Sequence, residues 1–190
     1  PKDVLPFWVA DMDFRAPVPV IDALTARTAH GIFGYTQVKD DYFNVLRDWF
    51  RTRHAWTVQR DELVITPGVV FAIATAIRAY TAPNEAVIIQ QPVYYPFASM
   101  IRQNGRTLID SPLRFADGRY SIDFADFEQK IIDHKVKLFV LCSPHNPVGR
   151  VWTRAELEQL AAICLRHHVI VVADEIHEEF VRPGFRHTPF

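Results

Sequence analysis

Four places where an apolar run gives way to polar or glycine residues hold the chemistry this sequence offers. Asp174-Glu175-Ile176-His177 follows the dry run Val169–Ala173. An aspartate at such a tip is costly unless paired, and either a protonated ring nitrogen or a nearby arginine would serve. Ser143-Pro144-His145-Asn146-Pro147-Val148-Gly149 follows Leu138–Cys142. There Asn146 stands between prolines, which fix φ and remove donors. That suits an amide held in one direction toward a ligand oxygen, or equally an Asx turn. Pro67-Gly68-Val69-Val70 follows Glu62–Thr66. A glycine opening a helix leaves backbone N–H groups free, and with the helix dipole these suit a phosphate; a plain strand-to-helix turn is the simpler reading. Gln91-Pro92-Val93-Tyr94-Tyr95-Pro96-Phe97 follows Ala86–Gln90. One of its tyrosines can stack on a planar ligand, or the pair can pack in a core or an interface.

The elements that must position these tips follow from periodicity. Residues 1–16 read as extended, with a turn near Asp11–Asp13, and 18–30 as a helix stopped by Gly31. Residues 40–54 form an amphipathic helix whose Tyr42, Val45, Leu46, Trp49 and Phe50 share one face. Short strands and helices then alternate. Strands are expected at Glu62–Thr66, Ala86–Gln90, Arg106–Asp110, Leu138–Cys142 and Val169–Ala173. Helices are expected at Gly68–Thr81, Tyr94–Gln103, Asp123–His134 and after the Thr153-x-x-Glu156 capping box. Asp117-Gly118 is a tight hairpin turn. Strands apolar on both faces and separated by helices imply an α/β fold, with a mostly parallel sheet covered on both faces. Ligands of such sheets bind at the carboxyl ends of the strands, where the four tips lie.

Composition narrows the function. The 190 residues are 49% hydrophobic, enough for a real core, and carry 21 Lys+Arg against 22 Asp+Glu. That balance favours neither nucleic acid nor an anionic membrane. The longest mostly apolar stretch, Val69 to Ile77, has nine residues with Thr75 among them, against roughly 18 for a membrane span. The two cysteines, Cys142 and Cys164, read as buried thiols in a reducing compartment. The expectation is a soluble, cytoplasmic chain. Asp174-Glu175-Ile176-His177 looks like a helicase box, but no Gly-Lys pair accompanies it. His177-Glu178 would need a second histidine at Val181, there is no G-x-G-x-x-G, and His167-His168 has the wrong spacing for a metal, so no metal site is expected.

Taken together, the tips resemble fold-type I pyridoxal-phosphate enzymes, the aspartate aminotransferase superfamily, through nearly all of the sequence. Leu5–Phe14 (LPFWVADMDF), Ser143–Trp152 (SPHNPVGRVW) and Asp174–His177 (DEIH) carry a narrower resemblance to the cystathionine β-lyase-like C–S lyases of the bacterial MalY/PatB group. The resemblance implies a PLP-transferase-like large domain and pyridoxal 5′-phosphate as cofactor. Asp174 would pair with its pyridine nitrogen, which the carboxylate keeps cationic while the ring acts as an electron sink. Asn146 would donate to the phenolic oxygen, Tyr94 would stack on the ring, and the Val69 and Val70 amides after Gly68 would hold the phosphate. His177 stands where the family's aminotransferases often carry tyrosine, which points to a lyase. Phe33-Gly34-Tyr35 matches a segment crossing the dimer interface, so Tyr35 would reach the partner subunit's phosphate.

The resemblance also implies what lies elsewhere. The family's Schiff-base lysine and carboxylate-binding arginine come downstream of the aspartate strand, and Lys2, Lys39, Lys130, Lys135 and Lys137 all precede Asp174. The chain is thus expected to be the N-terminal portion of a longer enzyme. Residues 1–36 would be an N-terminal arm and first helix, and 37–190 a partial cofactor-binding large domain, with the rest of that domain and a small domain absent. The implied function is β-elimination from cystathionine or another cysteine conjugate, giving pyruvate, ammonia and a thiol, by a homodimer acting on an amino-acid substrate. The missing lysine would be the base and Tyr94 an assisting group; the portion alone would be inactive. The alternatives are a class I/II aminotransferase and a non-catalytic domain that retains the fold.

Overall fold

The computed structural model describes residues 3–5 and 8–190; Lys2, and Pro6 and Phe7 of the Leu5–Phe14 motif, lie outside the described residues. The chain divides into two compact units, residues 1–40 and 41–190. In the first, α1 (Val18–His30) ends at Gly31, whose φ of 69° places it in the left-handed region glycine tolerates. The turn expected at Asp11–Asp13 lies earlier. The Asp11 N–H donates to the Trp8 carbonyl (3.3 Å), with Ala10 at positive φ, so a backbone bond sets it rather than the aspartate side chains.

The second unit is built on a four-stranded parallel sheet ordered β2-β1-β5-β6, from β1 (Ala86–Ile89), β2 (Thr107–Asp110), β5 (Leu138–Cys142) and β6 (Ile170–Asp174). Side chains alternate across it. Val87, Ile89, Leu138, Val140 and Cys142 pack with Ile73 and Ile77 of α3 (Val69–Tyr80) and Phe97 and Ile101 of α4 (Pro96–Gln103). Ile88, Phe139 and Leu141 face the other way, onto Phe127 and Ile131 of α5 (Phe124–His134) and Leu157 and Leu160 of α6 (Arg154–Arg166). Helices therefore cover both faces, as the apolar strands imply. Between β2 and α5 a two-stranded hairpin, β3 (Arg114–Ala116) and β4 (Arg119–Ser121), turns at Asp117-Gly118, both at positive φ.

Two expectations fail here. Glu62–Thr66 is not a strand. Residues 60–62 form a 3₁₀ turn, because Glu62 reaches back to the Gln59 N–H (2.7 Å) while the Glu62 N–H is drawn to Gln59, and the segment after it joins no ladder. The buried face of α2 (Asp40–His54) is also rotated. Phe43, Leu46 and Phe50 turn inward, while Tyr42, Val45 and Trp49 are exposed. The Arg60 guanidinium lies 3.3 Å over the Phe43 ring, and Phe50 packs on Trp56 at 5.3 Å, so the partners select that stripe. Smaller shifts also occur. Pro96 starts α4 later than Tyr94, since proline suits the first turn; β6 extends to Asp174, which pairs in register with Cys142.

The capping box at α6 is present in full. Glu156 accepts from the Thr153 N–H (2.7 Å) and holds Arg150 through both carboxylate oxygens (2.7 and 2.9 Å). Burial alone would raise the Glu156 pKa. The bonds from Thr153 and Arg150 outweigh it, and the folded value falls below 4.5. A carboxyl depressed on folding stabilises above its unfolded pKa, and that contribution drains away as pH falls through the folded value. Glu156→Gln is therefore expected to lower the unfolding midpoint of the full-length protein at pH 7, with the deficit closing well below pH 4.5. A deficit independent of pH would refute the ion pair.

Candidate functional site

The chain leaves β1 for β2 on one side, then crosses to β5 and β6 on the other. Strand order reverses between β1 and β5, and the carboxyl ends at such a reversal bound a ligand crevice. The loops there are 90–95 and 143–149. One residue joins them: the His145 Nε2 lies 3.0 Å from the Pro92 carbonyl. A carbonyl only accepts, so Nε2 carries the proton, and burial holds His145 below the usual imidazole range, keeping it neutral. The His145 N–H and the Arg150 carbonyl (2.8 Å), and the Gly149 N–H and the His145 carbonyl (2.8 Å), close the second loop on itself. Sequence reasoning passed over His145 because its partner is 53 residues away; its place inside the Pro-His-Asn-Pro run was the available signal.

Asp174 ends β6, only 5% exposed. Its Oδ1 accepts the Ile176 N–H (3.2 Å), and its backbone carbonyl accepts the Ser143 N–H (2.9 Å). Burial pushes the carboxyl above its usual range; the Ile176 bond and nearby His177 only partly offset this. Among the described residues Asp174 forms no ion pair, so the arginine alternative has no support within them. Asn146 is half-buried. Its N–H approaches the Cys142 Sγ at 3.3 Å, and Cys142 is the register partner of Asp174, so the two tips adjoin. Burial pushes the Cys142 thiol up to about 12, which leaves it an inert packing group.

Asn146 and His177 line one cavity of about 290 Å³, with Val151, Phe180, Arg182 and Phe185. Arg182 escaped the sequence reading, since it stands in no motif. Tyr94 is half-buried, its ring edge-on to Phe97 (6.0 Å) and tilted against Tyr95 (5.5 Å), so it is part of the α4-side packing as well as of the crevice. Gly68 caps α3 with φ 146°, a region L side chains rarely adopt, and no side chain caps that end. The first intrahelical bond runs from the Ala72 N–H to the Gly68 carbonyl (3.1 Å). The N–H groups of Val69 and Val70 thus have no acceptor within the helix. α3 shares its apolar cluster with β5, whose tip leads to Asn146. Tyr35 lies exposed in the first unit.

A doubly covered parallel sheet with a buried aspartate and an asparagine at adjoining strand tips defines an α/β protein whose ligand crevice lies at the carboxyl ends of its strands. The chain belongs to the aminotransferase class I and II family, whose model matches residues 3–189. It is 48% identical to the cystathionine β-lyase PatB of Bacillus subtilis over 99% of the chain and 49% of that protein. It is 38% identical to the protein MalY of Escherichia coli over 99% of the chain and 48% of that protein. Cystalysin of Treponema denticola, whose crystal structure contains pyridoxal 5′-phosphate, superposes with a TM-score of 0.94 at 39% identity, covering all of this chain and 48% of that one. The chain thus spans about half the length of the relatives it matches. Among the described residues no helix is long and apolar enough to cross a membrane.

Proposed function

We propose that the protein containing this chain is a pyridoxal-phosphate-dependent C–S β-lyase. It would act on cystathionine or another cysteine conjugate and release pyruvate, ammonia and a thiol. The observation that carries this reading is Asp174: a carboxylate buried at a strand tip, held by one backbone N–H and, among the described residues, without an ion-pair partner. A cationic ring nitrogen is the group this environment fits. When bound, pyridoxal phosphate supplies an electron sink for charge developing at the substrate α-carbon.

The chain's own residues would bind and orient. Asp174 would hold the proton on the ring nitrogen. Asn146 would donate its amide N–H to the phenolic oxygen, and the Val69 and Val70 N–H groups after Gly68 would donate to the phosphate at the start of α3. Tyr94 would cover one ring face and assist proton transfer. His177 borders the Asn146 cavity. A Schiff-base lysine and the base function would come from outside this chain. The protein is read as a cytoplasmic homodimer, with residues 1–36 as an arm, Tyr35 reaching the phosphate of the partner subunit, and 37–190 as part of the cofactor-binding domain.

The test is to incubate the full-length protein and cofactor with L-cystathionine. Pyruvate and thiol should appear in equal amounts. The family match also favours an aminotransferase. A new amino acid formed from an added 2-oxo acid, without thiol, would select that reading over the lyase. Neither product would leave a non-catalytic domain.

A further inference from the structure

Away from the Asp174 and Asn146 tips, two carboxylates and two histidines crowd together where the segment after β6 meets the end of α2. Glu175 and Glu178 share one turn, closed by the Glu178 N–H and the Glu175 carbonyl (2.9 Å). Being three residues apart in that turn, they present their carboxylates to the same side. His187 returns to them from further along the chain. Its ring is 4% exposed, and neither ring nitrogen makes a hydrogen bond among the described residues. Its Nε2 nevertheless lies 3.3 Å from the Glu175 Oε1. At that distance a ring N–H would normally be directed at the oxygen; here it is not in line. The His187 Nε2 and the Glu175 Oε1 are close but not hydrogen-bonded to each other, which leaves both able to ligate a third body between them. One donor atom each from Glu175, Glu178 and His187 falls within 4.8 Å of the other two. The His54 Nε2 stands 3.6 Å from the Glu178 Oε2.

Charge argues the same way. Neighbouring Glu179 is answered by Arg53 (3.1 Å), the Trp49 indole N–H (2.8 Å) and His54 (3.0 Å). Glu175 receives only the Phe190 N–H (3.0 Å) besides the His187 ring, and among the described residues no lysine or arginine pairs with Glu175 or Glu178. Two part-buried carboxylates thus lie close together and, among the described residues, are answered only by histidine rings and one backbone N–H, a charge that a cation would relieve. Donors around a tetrahedral zinc, with bonds of roughly 2.0–2.2 Å, lie about 3.3–3.6 Å apart. The 3.3 Å between the His187 Nε2 and the Glu175 Oε1 falls in that range, and the Glu178 carboxylate lies within 4.8 Å of both.

We propose that Glu175, Glu178 and His187, with His54 beside them, form a binding site for one divalent first-row transition metal, of the zinc class. It uses none of the residues assigned to the cofactor, so it stands whether or not the lyase reading does. Its ligands come from separate segments, which is why sequence spacing does not reveal it.

The test uses the full-length protein, stripped with chelator and titrated with Zn²⁺ alone by calorimetry, with Co²⁺ absorption as a second readout. One saturable Zn²⁺ per chain is expected, together with visible Co²⁺ bands of an N/O-ligated, low-coordinate site. Glu178→Gln and His187→Gln should each weaken Zn²⁺ binding by ~10-fold or more. Glu178 is only half-buried, so its variant keeps the test open if the His187 variant misfolds. No saturable binding, or binding that both variants leave unchanged, as surface histidines would give, overturns the proposal.

Discussion

Asp174→Asn is expected to cut turnover of the full-length protein by about a thousandfold, while raising the melting temperature of its cofactor-free form at neutral pH. The first effect follows from removing the fixed charge proposed to face the ring nitrogen, since preorganised electrostatic groups of this kind are typically worth about 10²–10³ in rate each. The second follows from the sign of the pKa shift. Burial raises the folded pKa of Asp174 above its ordinary 3.8. Above 3.8 the unfolded chain ionises more readily than the folded one, so the group opposes folding increasingly as pH rises through both values. Asparagine keeps an oxygen for the Ile176 N–H but carries no charge to bury. The variant should therefore melt a few degrees higher than wild type at pH 7, the gap shrinking below pH 3.8. Added cofactor should stabilise wild type more than the variant, because only wild type gains a paired charge. Thermal melts across pH, with and without cofactor, read all of this. A variant that melts lower at pH 7, or one that retains wild-type turnover, would break the assignment of Asp174.

The opposing signs also explain which parts of the site sequence reasoning reaches. Asp174 and Asn146 are legible because each is expensive where it stands: a carboxylate at a dry strand tip, an amide between two prolines. Expense is visible in a single segment. The His145 bond to the Pro92 carbonyl is not, because its parts come from loops that meet only when β1 and β5 lie side by side. The same holds for His54 and Glu179, which are 125 residues apart.

The fold divides along the same line. The run Leu138–Cys142 identifies itself as a central strand, since five consecutive apolar residues suit burial on both faces, and all five are buried. Thr153 and Glu156 identify a helix start because capping is local chemistry. In α2 two overlapping stripes compete, Tyr42-Val45-Leu46-Trp49-Phe50 and Phe43-Leu46-Phe50, which share Leu46 and Phe50. Period alone cannot rank them; the Arg60 stack and the Trp56 contact decide. Glu62–Thr66 has strand-like composition, but a strand is defined by its neighbour, and a side-chain cap claims Glu62 first.

The site's rigidity rests on a residue outside it. Trp152 is 1% exposed and is among the largest fully buried side chains. Its indole N–H donates to the Cys142 carbonyl (3.0 Å), its ring meets His145 edge-on at 5.4 Å, and the Arg150 guanidinium lies over it at 4.5 Å. It thus braces both ends of the Ser143–Arg150 loop that carries Asn146. Trp152→Ala removes packing and brace together and is expected to cost about 3–5 kcal/mol. Trp152→Phe keeps most of the packing but strands the Cys142 carbonyl, at about 1–3 kcal/mol. Denaturant melts of the full-length variants measure both. Cofactor titration should weaken for the Phe variant beyond any loss of folded protein, because the Asn146 loop loses its anchor. Equal stability of the Ala variant and wild type would mean that Trp152 does not hold this loop.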